Sequence, residues 1–148
     1  MKIKKNVGKI RIVLTIIGTV AVGAVLLVVL SEPGRREGLN LVIGKEDFSN
    51  LRDGTYIGTY TGTKDSFRNA KVLVTVSQGK VSKIKVTEGL LAGRKQLIKI
   101  TAGQSINDLF DRVIAAQSLQ VDTISGATIS SKIHLKAAEN ALEKAHAK

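Results

Sequence analysis

The 148-residue chain has no cysteine. Disulfides, thiolate-held iron–sulfur clusters, zinc ribbons and c-type haem attachment are therefore excluded, and any redox centre must be bound in another way. Aromatic residues make up only 3% of the chain, which argues against a platform that stacks the bases of single-stranded nucleic acid. The two histidines, His134 and His146, stand without histidine or carboxylate partners at ligand spacing. Both read as ordinary surface or helix residues, and no metal site is expected. Internal repeats and low-complexity segments are also lacking.

Charge is present in excess, at a formal +11, but it divides into two parts with different meanings. Lys2, Lys4, Lys5, Lys9 and Arg11 stand in the first 11 residues with no acid among them. The remainder carries 18 cations against all 12 acids, a net +6 without a run of one sign. Such scattered charge describes a moderately basic domain and argues against a tethered module that grips an anionic polymer or lipid surface, the rival reading from a different functional class.

Residues 12–30 are all apolar, Gly or Thr. Nineteen such positions, at about 1.5 Å rise each, span roughly the hydrocarbon core of a bilayer. With five cations ahead of it, this run reads as a single transmembrane helix, with residues 1–11 as a basic cytoplasmic tail and everything after residue 30 extracytoplasmic. A cleavable signal peptide is the alternative, with Val29 and Ser31 as small residues before a cleavage site. The run exceeds the usual signal core of about 7–15 residues, so an uncleaved anchor is expected. Residues 31–50, opening with Glu32, Pro33, Gly34, Arg35 and Arg36, read as a juxtamembrane linker of helix-breaking composition, from which Leu39, Leu41, Val42, Ile43 and Phe48 are available to pack on the domain that follows.

That domain, residues 51–148, reads as α+β: a small antiparallel sheet covered by two helices. A strand is expected over residues 55–61, after the Asp53-Gly54 turn pair and with Gly58 interrupting it. Clean alternation over residues 70–77 puts Val72, Val74 and Val76 on one face. Gln78-Gly79-Lys80 turns the chain into a strand over residues 81–87, with Ile84 and Val86 inward and Lys83 and Lys85 outward. Helical spacing of Ile106, Leu109, Phe110, Val113 and Ile114 predicts a helix over about 104–117. A second helix, from about residue 130 to the end, presents Ile133, Ala137, Ala138, Ala141, Leu142 and Ala145 inward and Lys132, Lys136, Glu139, Glu143 and Lys144 outward.

Between these helices lies Gln120-Val-Asp-Thr-Ile-Ser-Gly-Ala-Thr-Ile-Ser-Ser131, a crowding of hydroxyls and small residues just before a helix. Gly126 and Ala127 allow another group close to the backbone, and the first-turn amides favour an anion such as a phosphate. Taken alone, the same residues also make an ordinary turn and N-cap, with Thr128 or Ser130 bonding a first-turn amide.

Asp122 to Ser130, DTISGATIS, resembles the flavinylation motif of the FMN-binding domain family, which includes the covalently flavinylated subunits of sodium-pumping NADH:quinone oxidoreductases and Rnf-type complexes. Leu51 to Tyr60 resembles the family's opening strand, and the Val-rich hairpin and Ala115-Ala116-Gln117-Ser118 follow its layout, so that the likeness covers about residues 50–145. The resemblance implies FMN as cofactor, joined through a phosphoester to Thr128 by a magnesium-dependent flavinyltransferase that uses FAD. Asp122, Ser125, Gly126 and Ala127 match the rest of the motif. Asp122 is either read by the transferase, used to activate the hydroxyl, or engaged in an Asx-type turn. Thr123 departs from the Gly or Ala frequent there, and the chain is shorter than the subunits of the large complexes.

The implied function is that of a membrane-tethered electron carrier between a donor and an acceptor that the sequence does not name. A reductase holding FMN noncovalently is the alternative within the same cofactor class. Tyr56, Tyr60 and residues 90–93 are candidates to touch the flavin ring by their place at strand ends, although tyrosines in strands more often serve packing.

Overall fold

A computed structural model describes residues 3–64, 66, 68–89 and 103–146, with backbone alone for residues 3–7 and Ser31. The chain divides into two compact units, Met1–Pro33 and Gly34–Lys148. Its elements are α1 (Ile3–Leu39), β1 (Gly54–Tyr60), β2 (Ala70–Ser77), β3 (Lys80–Gly89), α2 (Ile106–Ala116) and α3 (Thr128–His146).

The first unit is helical throughout its described length. Its apolar side chains are bare, Leu27 at 71% and Leu30 at 73% exposure, and α1 is long and apolar enough to cross a membrane. The hydroxyls of Thr15 and Thr19 donate back to the carbonyls of Arg11 (2.8 Å) and Thr15 (3.0 Å), so the helix satisfies its own polar groups, as a lipid environment demands. The helix does not stop at the composition change after Leu30. It continues through Pro33, where one intrahelical hydrogen bond is forgone, and ends at Leu39. Residues 40–50 alone show the irregular backbone expected of the whole linker.

In the second unit β1, β2 and β3 form an antiparallel sheet in that order. Gly54 pairs with Val76 and Tyr60 with Ala70, while Val74 pairs with Ile84. Val72, Val74 and Val76 point into the core as their alternation requires. In β3 the inward residues are Val81 and Ile84, three apart, because the ladder shifts register at Thr75/Val76; Val86 is only partly buried.

Both helices cover the same face. Helix α2 packs on β3, and α3 lies across β1 and β2. Ser105 caps α2 with Asp108 in a reciprocal capping box, which sets the first helical residue at Ile106. Phe110, Ile106 and Leu109 are almost wholly buried, each contributing about 1.5–3 kcal/mol by leaving water. The α3 alanines let the sheet approach closely: a Cβ on Gly58 would stand 1.8 Å from the carbonyl oxygen of Ala137.

Glu139, expected on the outer face of α3, is 5% exposed and pairs with Lys136 at 2.7 Å. The cause is residues 41–48, which fold over this part of the helix. Leu41, Ile43 and Phe48 pack against the core, and Gln120 Nε2 donates to the Gly44 carbonyl at 3.0 Å. Val42 points away, 79% exposed. The same covering brings Glu46 near Glu139 and Glu143, and burial together with those two charges pushes the Glu46 carboxyl above the usual range.

Candidate functional site

The motif segment is anchored from within. Ile124 is fully buried, and its N–H donates to the buried Oγ of Ser131 at 3.1 Å. The chain then turns through Ser125 and Gly126, closed by Ala127 N–H donating to the Ile124 carbonyl at 2.9 Å. Gly126 has φ 74°, the left-handed conformation that glycine adopts without penalty at the third position of such a turn. Ser131 N–H donates to the Ala127 carbonyl at 2.9 Å, the first bond of α3. Ala127 is therefore the N-cap residue, and Thr128 the first residue of the helix.

The turn is thus of an ordinary kind, but the cap is not the expected one. Neither Thr128 nor Ser130 is the cap, and the residue that holds that place has no side-chain acceptor to offer. The first-turn amides have no intrahelical acceptor and lie at the positive end of the helix. Thr128 is half-buried, and among the described residues its hydroxyl pairs with no other group.

Thr128 lies on the wall of a cavity of about 470 Å³, within the size range of small-molecule and cofactor sites. Gly126, Ala127, Ile129, Ser130, Ile133 and His134 of the same segment line it, with Leu39, Arg68 and Asn69 opposite. Leu39 is held by its carbonyl, which accepts from Lys132 Nζ at 2.6 Å. Asn69 is held by Oδ1, which accepts from Gly62 N–H at 3.0 Å. A second recess of about 450 Å³ shares Asn69 and is bounded by Tyr60, Lys71 and Glu88.

Of the motif residues, Gly126, Ala127 and Thr128 meet at the cavity, whereas Asp122 and Ser125 are exposed and do not line it. Tyr56 and Tyr60 do not line it either. Tyr56 bonds the Arg52 carbonyl at 2.9 Å, and Tyr60 is a core residue at 8% exposure. Residues 90–93 lie outside the described residues.

His134 is a correction to the surface reading. It is 5% exposed, packed edge-on against Phe110 with ring centroids 6.3 Å apart, and it lines the cavity. Burial holds its pKa below the ordinary histidine value. The signal in the sequence was its place in a helical row with Ala138, Ala141 and Ala145, all fully buried. Arg68 and Asn69, on the loop between β1 and β2, carried no signal of their own.

The fold and site together define a small α+β domain with a cavity lined by the N-terminal turn of a helix, a place suited to a phosphate. The profile of the FMN-binding domain family matches residues 68–143, more than half of the chain, and the chain belongs to that family. Its cofactor is FMN. Strand β1 precedes the matched residues. No curated protein and no solved structure matches the chain.

The site fits this cofactor by its chemistry. The cavity lining includes the first turn of α3 and the cationic residue Arg68, which suit a phosphate, and the apolar residues Leu39, Ile129 and Ile133, which suit a flat aromatic ring.

Proposed function

We propose that this chain is a membrane-anchored flavoprotein that carries FMN covalently on Thr128 and relays electrons outside the cytoplasm. The observation that carries the reading is the placement of Thr128 at the first position of α3, on the wall of the cavity. An oxygen at that position holds a phosphate against the free amides behind it.

Attachment by a magnesium-dependent flavinyltransferase balances as follows. Thr128 Oγ1 attacks the FMN-side phosphorus of FAD, a new P–O bond forms, the bond to the AMP moiety breaks, AMP departs and the hydroxyl proton is released. The exposure of Asp122 and Ser125 beside the site supports a reading in which that second protein recognises them.

When bound, FMN accepts and releases one or two electrons. The chain supplies attachment, a positive helix end that favours negative charge by about 0.3–1 kcal/mol, and apolar walls. No protein acid or base is demanded, which suits a carrier more than a self-sufficient enzyme. An ester bond also prevents loss of the cofactor from an open site outside the cytoplasm. The anchor is α1, oriented by the cations that precede its apolar run.

The test is intact mass of the full chain co-expressed with a flavinyltransferase, beside Thr128→Val, followed by flavin fluorescence of the denatured protein. An FMN-sized increase confined to the wild type is expected. Flavin that binds the native chain but leaves on denaturation would move the reading to a noncovalent FMN reductase. No flavin in either form would return the tethered binding module.

A further inference from the structure

His134 lines the cavity beside Thr128, and among the described residues its buried Nε2 has no hydrogen-bond partner. The other ring nitrogen is engaged, Nδ1 lying 2.7 Å from the Ser130 carbonyl. A carbonyl only accepts, so Nδ1 carries the proton and donates, and in the neutral ring Nε2 is left with a lone pair. The lowered pKa favours that neutral form. Buried acceptors without partners are uncommon, and this one belongs to a side chain on the cavity wall.

Resting on the assignment of covalent FMN to this cavity, we infer that His134 is a positioning residue of the site, its Nε2 accepting a hydrogen bond from a hydroxyl or ring N–H of the flavin. The donor requirement selects the part of the ligand involved. A phosphodiester offers acceptors only, and a lone pair facing it would be repelled. The ribityl hydroxyls and the ring imide N–H are donors. Position agrees with this choice: His134 follows Thr128 by six residues, about 9 Å along the helix axis, beyond the phosphate-receptive first turn. The Phe110 contact and the Ser130 bond hold the imidazole in one orientation, so the acceptor is placed before the ligand arrives.

The experiment uses the full chain in detergent micelles, labelled with [¹⁵N]histidine and prepared with and without an active flavinyltransferase. His146→Gln identifies which of the two histidine signals belongs to His134. Intact mass is read first, then the His134 Nε2 resonance, then flavin fluorescence anisotropy of the wild type, His134→Phe and His134→Gln. On attachment the Nε2 signal of the wild type moves from that of a free lone-pair nitrogen toward that of a hydrogen-bond acceptor. Flavin anisotropy falls in His134→Phe, which keeps the ring contact without the acceptor, and is restored in His134→Gln. An FMN-sized mass with an unmoved Nε2 signal and unchanged anisotropy in His134→Phe overturns the role of His134 and leaves the attachment intact. Absence of the mass increase in the wild type overturns the attachment, and the inference falls with it. The wild-type resonance decides the matter even if the phenylalanine variant does not fold.

Discussion

Gln117 joins the end of α2 to the outer edge of the sheet. It terminates the helix in the left-handed region, at φ 45° and ψ 49°. Its carboxamide accepts from Val81 N–H and donates to the Val81 carbonyl, both at 2.9 Å, and also donates to the Ile114 carbonyl at 2.6 Å. Because β3 is an edge strand, these Val81 groups point away from β2, and the carboxamide stands in for a further strand. Gln117→Ala removes the partner from both, which should lower stability by about 2–3 kcal/mol in denaturant unfolding, the scale of a desolvated polar group left unpaired. An unchanged midpoint would mean that water takes the place of the side chain. Individual residues were read unevenly. Thr128, Gly126 and Ala127 were legible from the motif and the burial of His134 from its helical row, whereas Glu139 and Gln117 take their roles from groups 20 or more residues away in the chain, which no local pattern encodes.

Strand β1 meets α3 closely through a glycine. Gly58 sits in the middle of β1, opposite Val72, where a Cβ would meet the Ala137 carbonyl oxygen at 1.8 Å and the Ala141 nitrogen at 2.6 Å. Both are backbone atoms of a helix and cannot rotate aside. Gly58→Ala should therefore cost about 1–3 kcal/mol by overpacking, measured as a lower unfolding midpoint, and should also lower flavin loading, since the same helix carries Thr128. Equal stability would show that α3 can shift outward without loss. The strands and helices themselves were legible because their apolar periodicities are clean. Element ends were less so. Helix α3 begins at Thr128 rather than near residue 130, because Ser131 is drawn inward to bond Ile124. Helix α1 runs past Pro33, because one lost hydrogen bond does not outweigh the turns on either side of it.

The domain as a whole should be acid-sensitive, and the sign follows from its titrating groups. Asp53 accepts from the Gly79 and Gln78 amides at 2.8 and 2.9 Å, and Glu37 accepts from the Thr63 and Lys64 amides at 2.9 and 3.0 Å. These bonds hold both carboxyls below their ordinary pKa, so their stabilisation is full above the unfolded value, about 4, and is lost as pH falls through the folded one. Neutral buried His134, also lowered, adds a loss that begins as pH drops below about 6.5. Glu46, raised by burial and by Glu139 and Glu143, works in the opposite direction and partly offsets the fall. Thermal midpoints should decline from pH 7 to pH 5 and more steeply below pH 4, with the upper part of the decline absent in His134→Phe; a flat profile would mean that the buried imidazole titrates as freely as an exposed one. The long apolar helix, the α+β class, the strand order of the hairpin and the FMN motif all follow from composition, periodicity and a contiguous nine-residue pattern, which are properties of neighbouring residues. The cavity, the burial of His134 with its unpaired nitrogen, and the wall built from Leu39, Arg68 and Asn69 come from segments about 60 to 90 residues apart in the chain from the motif. Only the packing of α3 against the sheet and the last turn of α1 brings those groups to one place, because their roles depend on distances that close when the apolar faces are buried together.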